Sequence, residues 1–180
     1  MWGRQFARTF ARVTVFCLFL QFAIVHGAHA QNVRTIFLVR HADKISDDTD
    51  APLSDAGQRR AECLANTLSD ARIEQIFTSD LQRTQQTAAP LAEKLRVKPV
   101  TIPLSRPDQL IEAIRAGKAE NVLVVWHDQT LPKILRALGA PEVTPIAHTE
   151  YDRFFILTLA AGATRSQPRL TSLRYCDSTK

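Results

Sequence analysis

Apolar residues along this chain alternate between short continuous runs and stripes at helical spacing. Thr35-Ile36-Phe37-Leu38-Val39 is an unbroken β-rich run, the pattern of a strand buried on both faces. Asn121–Trp126 (NVLVVW) is a second run of that kind, and Ile73–Thr78 and Val97–Ile102 read as shorter strands. Phe154–Leu159 and Arg169–Arg174 close the chain as two more. Between the runs the period changes. Ala61, Leu64, Ala65 and Leu68 recur at i, i+3, i+4 and i+7, on a helix that Ser54 caps with Asp55 in its first turn. Leu81, Thr84, Ala88, Leu91 and Leu95 mark one face of a second helix, in which Pro90 predicts a kink or a break. A third helix opens at Pro107-Asp108, carries Leu110, Ile111 and Ile114, and closes at Gly117. Leu131, Ile134, Leu135 and Leu138 give a fourth face that ends at Gly139, and the acid-rich segment 42–53 is a loop.

Strands alternating with helices imply an α/β fold: a mostly parallel central sheet with helices on both faces, a three-layer sandwich. Ligands of such sheets bind beyond the carboxyl ends of the strands. The residues found there are reactive: Arg40-His41 after the first strand, Ser79-Asp80 and Arg83 after the second, His127-Asp128 after the fourth.

Residues 1–30 stand apart from this pattern. They hold Arg4, Arg8 and Arg12, no acid, an apolar stretch from Val13 to Val25, and then Ala28-His29-Ala30. A basic start, an apolar run and an A-x-A site predict a secretory signal cleaved before Gln31. Thirteen apolar-run residues fall short of the roughly 20 that cross a bilayer as a helix. The mature protein is therefore expected to be periplasmic or secreted, without a stable membrane anchor. Removing three of the 23 basic residues and none of the 18 acids leaves 20 against 18, so the formal charge falls from +5 to +2. That balance argues against nucleic acid as a partner. Residues 31–180 are the right length for one domain.

Cys17 leaves with the signal, while Cys63 and Cys176 remain. An oxidising compartment permits one disulfide between them. A buried free thiol is an equally ordinary outcome for Cys63, which sits among Ala61, Leu64 and Ala65.

Three histidines survive cleavage: His41, His127 and His148. A single histidine at a strand end is more often structural than catalytic. Two of them, each beside a charged residue and on the same rim, reverse that preference, because imidazole serves readily as nucleophile or acid–base group near neutral pH. Arg40 and Arg83 share the rim, and guanidinium groups fork onto phosphate oxygens while staying charged. The set suggests phosphoryl transfer, in which positioning and charge stabilisation dominate. His148 has no evident partner and reads as structural. No histidine is spaced with Cys, Asp or Glu as a metal ligand, so neither metal nor cofactor is expected. Phosphate-loop, nucleophile-elbow and dinucleotide-binding motifs are missing from the sequence.

Leu38-Val39-Arg40-His41-Ala42-Asp43-Lys44 resembles the opening motif of the histidine phosphatase superfamily, the phosphoglycerate-mutase-like phosphatases of the small branch 1 type. The resemblance continues through Pro52-Leu53-Ser54-x-x-Gly57 and Thr78-Ser79-Asp80-Leu81-x-Arg83-Thr84-x-x-Thr87-Ala88. It extends to Val124-Val125-Trp126-His127 and Tyr151-Asp152-x-Phe154-Phe155, in the family's order over about residues 34–159. It implies that His41 is the nucleophile and becomes a phosphohistidine. Arg40 and Arg83 would clamp the phosphoryl oxygens, His127 would donate hydrogen bonds to the same group, and no metal would be needed. Where the family usually has a Gly before the second histidine, this chain has Trp126, which either crowds the strand end or walls the pocket. The larger acid-phosphatase branch places His-Asp together, so Asp128 is either the general acid for the leaving group or an N-cap for the helix starting near Thr130. Asp43 and Asp108 are weaker candidates for the acid.

These readings lead to an exported, metal-independent phosphatase acting on a small phosphorylated substrate through His41. Two alternatives stay open: a phosphate-binding module that kept the pocket without turnover, and a phosphatase of protein phosphohistidine. A mutase role on glycolytic intermediates fits an exported chain poorly, and this one lacks the length such mutases use to enclose a sugar phosphate.

Overall fold

A computed structural model describes residues 33–160 and 167–176. The expected signal, residues 1–30 with its cleavage site, lies outside the described residues. In chain order the elements are β1 (Val33–Arg40), α1 (Asp55–Thr67), β2 (Gln75–Ser79), α2 (Gln82–Leu95), β3 (Val100–Ile102), α3 (Pro107–Ala116), β4 (Asn121–Trp126), α4 (Leu131–Ala137), β5 (Arg153–Ala160) and β6 (Arg169–Arg174). The six strands form one sheet in the order β3-β2-β4-β1-β5-β6. Pairs β1–β4, β2–β4 and β2–β3 are parallel, while β5 and β6 join antiparallel. The sheet is mixed and mostly parallel, and the α/β expectation holds.

Side-chain alternation on the central strands divides the interior into two layers. Val122, Val124 and Trp126 of β4, with Ile36 and Leu38 of β1, pack with Leu110 and Ile114 of α3 and Leu131, Ile134 and Leu135 of α4. Leu123 and Val125, with Val39 and Ile76, pack instead with Leu64 and Ala65 of α1 and with Ala88 and Leu91 of α2. Both faces are therefore covered, which is why these strands read as continuous apolar runs. Trp126 has no exposed surface and belongs to the first of these layers. It is core, and it does not wall the pocket.

Several local expectations change. Helix α2 runs through Pro90 uninterrupted. Ala88 and Leu91 on either side are fully buried, and that packing holds the helix across the one N–H that proline lacks. Gly117 caps α3 with φ of −66°, so its left-handed freedom is unused, whereas Gly139 after α4 does take φ of +91°. The strand expected over 97–102 shrinks to the three residues of β3, an edge strand paired only with β2 and preceded by Pro99. Cys63 on α1 and Cys176 after β6 are joined as a disulfide, with Cα atoms 6.0 Å apart.

Register then builds the rim. Arg40 stands opposite Trp126 and Thr78 opposite Val125, so β1, β4 and β2 end at one level. The His41 N–H donates to the Trp126 carbonyl at 2.9 Å, which sets the two histidines side by side.

Candidate active site

The segment after β1 is anchored before it is functional. The Ala42 N–H donates to Thr87 Oγ1 (2.9 Å), and the Thr87 hydroxyl donates to the Arg83 carbonyl (2.6 Å). Ser54 donates to the Asp43 carbonyl through both its N–H (2.9 Å) and its hydroxyl (3.2 Å), and its hydroxyl caps α1 at Gly57 N–H. The Asp43 carboxylate pairs with the buried Arg60 at 2.7 Å, and Arg60 also donates to the Cys176 carbonyl at 2.6 Å. Asp43 is thus a structural ion-pair partner. Asp108 pairs with Arg106 at the surface and takes no part in the rim.

Arg40 is almost fully buried and mostly committed. Its Nη1 donates to the carbonyls of Ala147 (3.2 Å), His148 (2.7 Å) and Glu150 (3.0 Å), and Nη2 pairs with Asp128 Oδ2 at 3.2 Å. The guanidinium also lies over the Tyr151 ring at 4.1 Å. Of its five N–H groups, Nε–H and one Nη2–H remain, and the buried Nε has no partner among the described residues. Arg83 repeats the arrangement. Its Nη1 donates to the Thr49 carbonyl at 2.7 Å, and its Nε is buried without a partner among the described residues. Asp80, a conceivable surface partner for Arg83, accepts from Leu104 N–H instead. Two guanidinium groups thus keep an uncommitted Nε–H, one edge of the fork that fits an anion's oxygens.

His41 is buried, and its Nδ1 lies 2.8 Å from the Ala42 carbonyl. A carbonyl only accepts, so Nδ1 carries the proton and Nε2 keeps its lone pair. Burial pushes the His41 pKa down to about 3, and the neighbouring His127, Arg40 and Arg83 push in the same direction. The ring is therefore neutral at pH 7. His127 lies 5.2 Å from it, centroid to centroid, with its Nε2 2.9 Å from Ser79 Oγ. Burial and the Arg83 charge lower the His127 pKa to about 4. The Ser79 hydroxyl is itself 2.9 Å from Thr84 Oγ1. With Nε2 held by Ser79, Nδ1 is the nitrogen of His127 left for a ligand. The Trp126 ring meets the His127 ring edge-on at 5.9 Å and steadies it from the core side.

Asp128 does not cap the next helix: Thr130 occupies the cap position, and Asp128 Oδ1 accepts only from the adjacent Gln129 N–H. Partial burial alone would raise its pKa, but the Arg40 charge and hydrogen bonds from His148 and Gln129 outweigh that and hold the carboxyl below its ordinary value. The residue expected as a general acid or a cap is, in the resting site, a carboxylate paired with Arg40.

The structure therefore brings Arg40, His41, Arg83, His127 and Asp128 together. Sequence reasoning missed Tyr151, whose ring lies 5.9 Å from that of His41, although it stands in the Tyr-Asp-x-Phe-Phe segment. It also missed Ser79, which the strand-end rule locates without giving it a role. His148 was expected to be structural and without a partner, yet its ring joins Asp128 (3.2 Å) and approaches Asp47 (3.6 Å).

The family model of the histidine phosphatase superfamily (branch 1) matches residues 26–106. A Yersinia enterocolitica protein named as a probable phosphoglycerate mutase, GpmB, is 40% identical over 78 residues, covering 39% of this chain and 36% of that protein. A Yersinia pestis protein of the same name is 36% identical over 78 residues, with the same coverage. The chain thus spans only 36% of the length of these curated relatives. Among solved structures, a mycobacterial glucosyl-3-phosphoglycerate phosphatase superposes with a TM-score of 0.62 at 15% identity, over 77% of this chain and 97% of that one. The protein histidine phosphatase SixA in complex with tungstate superposes with a TM-score of 0.59 at 20% identity, over 78% and 96%. At these identities the structural likeness is one of fold.

Proposed function

We propose that this chain, whose residues 26–106 match the model of the histidine phosphatase superfamily (branch 1), is a phosphatase that hydrolyses phosphomonoesters through a phosphohistidine on His41. One observation carries this reading: a neutral His41 with a free Nε2 lone pair lies among two arginines that each keep a buried, unpartnered Nε–H. The guanidinium groups take the phosphoryl oxygens and supply the positive charge, so the chemistry calls for no metal. Nε2 of His41 attacks phosphorus, and the bond to the ester oxygen breaks. With the Ser79 hydroxyl donating to Nε2, His127 carries its proton on Nδ1 and donates it in a hydrogen bond to the phosphoryl group as its charge shifts. Water then displaces His41 from phosphorus and phosphate leaves.

Two further features support an exported enzyme. The first is the leader pattern of residues 1–30, and the second is the disulfide between Cys63 and Cys176, a bond that oxidising compartments sustain. Export in turn favours hydrolysis over mutase transfer on cytosolic intermediates.

The test is a brief exposure to labelled phosphomonoester followed by an alkaline quench. Wild-type protein should retain acid-labile, alkali-stable label, and His41→Ala should retain none. Stoichiometric phosphate binding without label or turnover would instead identify a binding module. A substrate panel that includes a phosphohistidine peptide separates small esters from protein phosphohistidine.

A further inference from the structure

Hydrolysis of an alkyl ester needs a proton for its leaving oxygen, and Asp128 is committed as an anion to Arg40. The group poised beside it is His148. From the geometry we infer that His148 is the proton donor to the leaving group and that Asp128 is the residue that positions it. This inference rests on the phosphohistidine reading above and deepens it.

The backbone around His148 is fixed from the core. Buried Arg40 holds the carbonyls of Ala147, His148 and Glu150 together, and Glu150 closes the turn by accepting from Ala147 N–H at 2.9 Å. Arg174 anchors Glu150 in turn, at 2.7 Å. An exposed side chain thus stands on a rigid base, which a proton donor requires.

The ring's two nitrogens have different surroundings. Nδ1 lies 3.2 Å from Asp128 Oδ2, and a carboxylate only accepts, so Nδ1 carries a proton. Nε2 lies 3.6 Å from Asp47 Oδ1, beyond hydrogen-bond reach, and Asp47 is already paired with Lys44 at 2.7 Å. Nε2 is therefore the nitrogen available to a ligand. His148 lines a cleft of about 370 Å³ together with Lys44, Asp47 and Tyr151 among others. Tyr151 borders both this cleft and the His41 ring, so the cleft that His148 lines adjoins the His41 side of the rim.

The step balances without any co-reactant. The donor is the imidazolium form of His148, with one proton on Nδ1 towards the Asp128 carboxylate and one on Nε2. As the bond between His41 Nε2 and phosphorus forms and the ester P–O bond breaks, the Nε2 proton of His148 passes to the departing oxygen, giving a neutral alcohol and a neutral His148 ring. His148 then takes a proton from the water that attacks the phosphohistidine. The P–N electron pair returns to His41, and phosphate leaves.

The experiment compares wild type, His148→Gln and Asp128→Asn on glycerol phosphate and a series of substituted phenyl phosphates, with phosphoenzyme trapping run in parallel. Gln keeps a hydrogen bond at the same reach and cannot release a proton. His148 is 66% exposed and holds Arg40 only through its backbone carbonyl, so the variant should fold. His148→Gln should lose about 10²–10⁴-fold in kcat/KM on glycerol phosphate. That loss should shrink steadily as the leaving group becomes more acidic. A uniform loss across the series, or none, would overturn the inference. So would a steepened leaving-group dependence in Asp128→Asn with His148→Gln parallel to wild type, because Asp128 would then be the acid. Wild type that traps no label on His41 would bring down the underlying reading itself, and the trapping arm shows this separately.

Discussion

Burial sets the chemistry of the two rim histidines. An imidazole in the unfolded chain titrates near about 6.5. In the fold His41 titrates at about 3 and His127 at about 4. Between those values the unfolded chain binds more protons, so stability must fall as pH drops from about 6.5 towards 4. The fall can reach about 1.4 kcal/mol per pH unit for each histidine. Above about pH 7 this contribution is constant. Urea midpoints at pH 7 and pH 5 check it: His41→Asn should fall less steeply than wild type, and equal slopes would mean that the ring is protonated inside the fold. The same depression keeps His41, the proposed nucleophile, unprotonated at pH 5, where trapping of the phosphoenzyme should still succeed.

At the scale of elements, the rim depends on close approach between α1 and the segment after β1. The first turn of α1 lies against the Asp43 backbone, and a Cβ on Gly57 would overlap the Asp43 carbonyl oxygen. Helix propensity alone favours Gly57→Ala by about 1 kcal/mol. Overlap with a backbone atom already held by Ser54 costs more, roughly 1–3 kcal/mol. Gly57→Ala should therefore be net destabilised in chemical denaturation, and a gain in stability would show that the contact is slack. α2 is fixed from the other side, since Thr87 ties its first turns to Ala42 and brings Arg83 towards the rim. Pro90 is tolerated because the helix is held along its buried face and not by its hydrogen bonds alone.

For the molecule as a whole, the disulfide ties α1 to Cys176, two residues after β6, across 113 positions of sequence. Closing so long a loop restricts the unfolded chain and stabilises the fold by about 5 kcal/mol in the chain-entropy model. It also holds the Cys176 carbonyl against Arg60, and through Arg60 the Asp43 segment. Melting with and without dithiothreitol should therefore differ by roughly 10 °C. Identical curves would mean that the bond contributes nothing.

Much of this was legible in sequence, for physical reasons. Strands buried on both faces must be apolar throughout, so β1 and β4 announce themselves, and the residues that follow them necessarily sit on the rim. Arg40, His41 and His127 were found in that way, and Arg83 by its place just after β2. Sequence alone left open whether Trp126 is core or pocket, whether Cys63 meets Cys176, and what Asp128 does. Those outcomes depend on partners far along the chain: the layer of α3 and α4, the end of β6, and the turn at 147–150 that Arg40 gathers. In the sequence His148 reads as structural and Tyr151 carries no role, for the same reason. They lie on an irregular segment with no periodicity to read, and only the register of β1 against β4, with Arg40 reaching across, carries them to the site. The sequence by itself determined which strands are buried and therefore which residues stand at their ends. Tertiary structure decided which of those residues keep free lone pairs and free N–H groups, because hydrogen-bond commitment depends on distant backbone that no local pattern encodes.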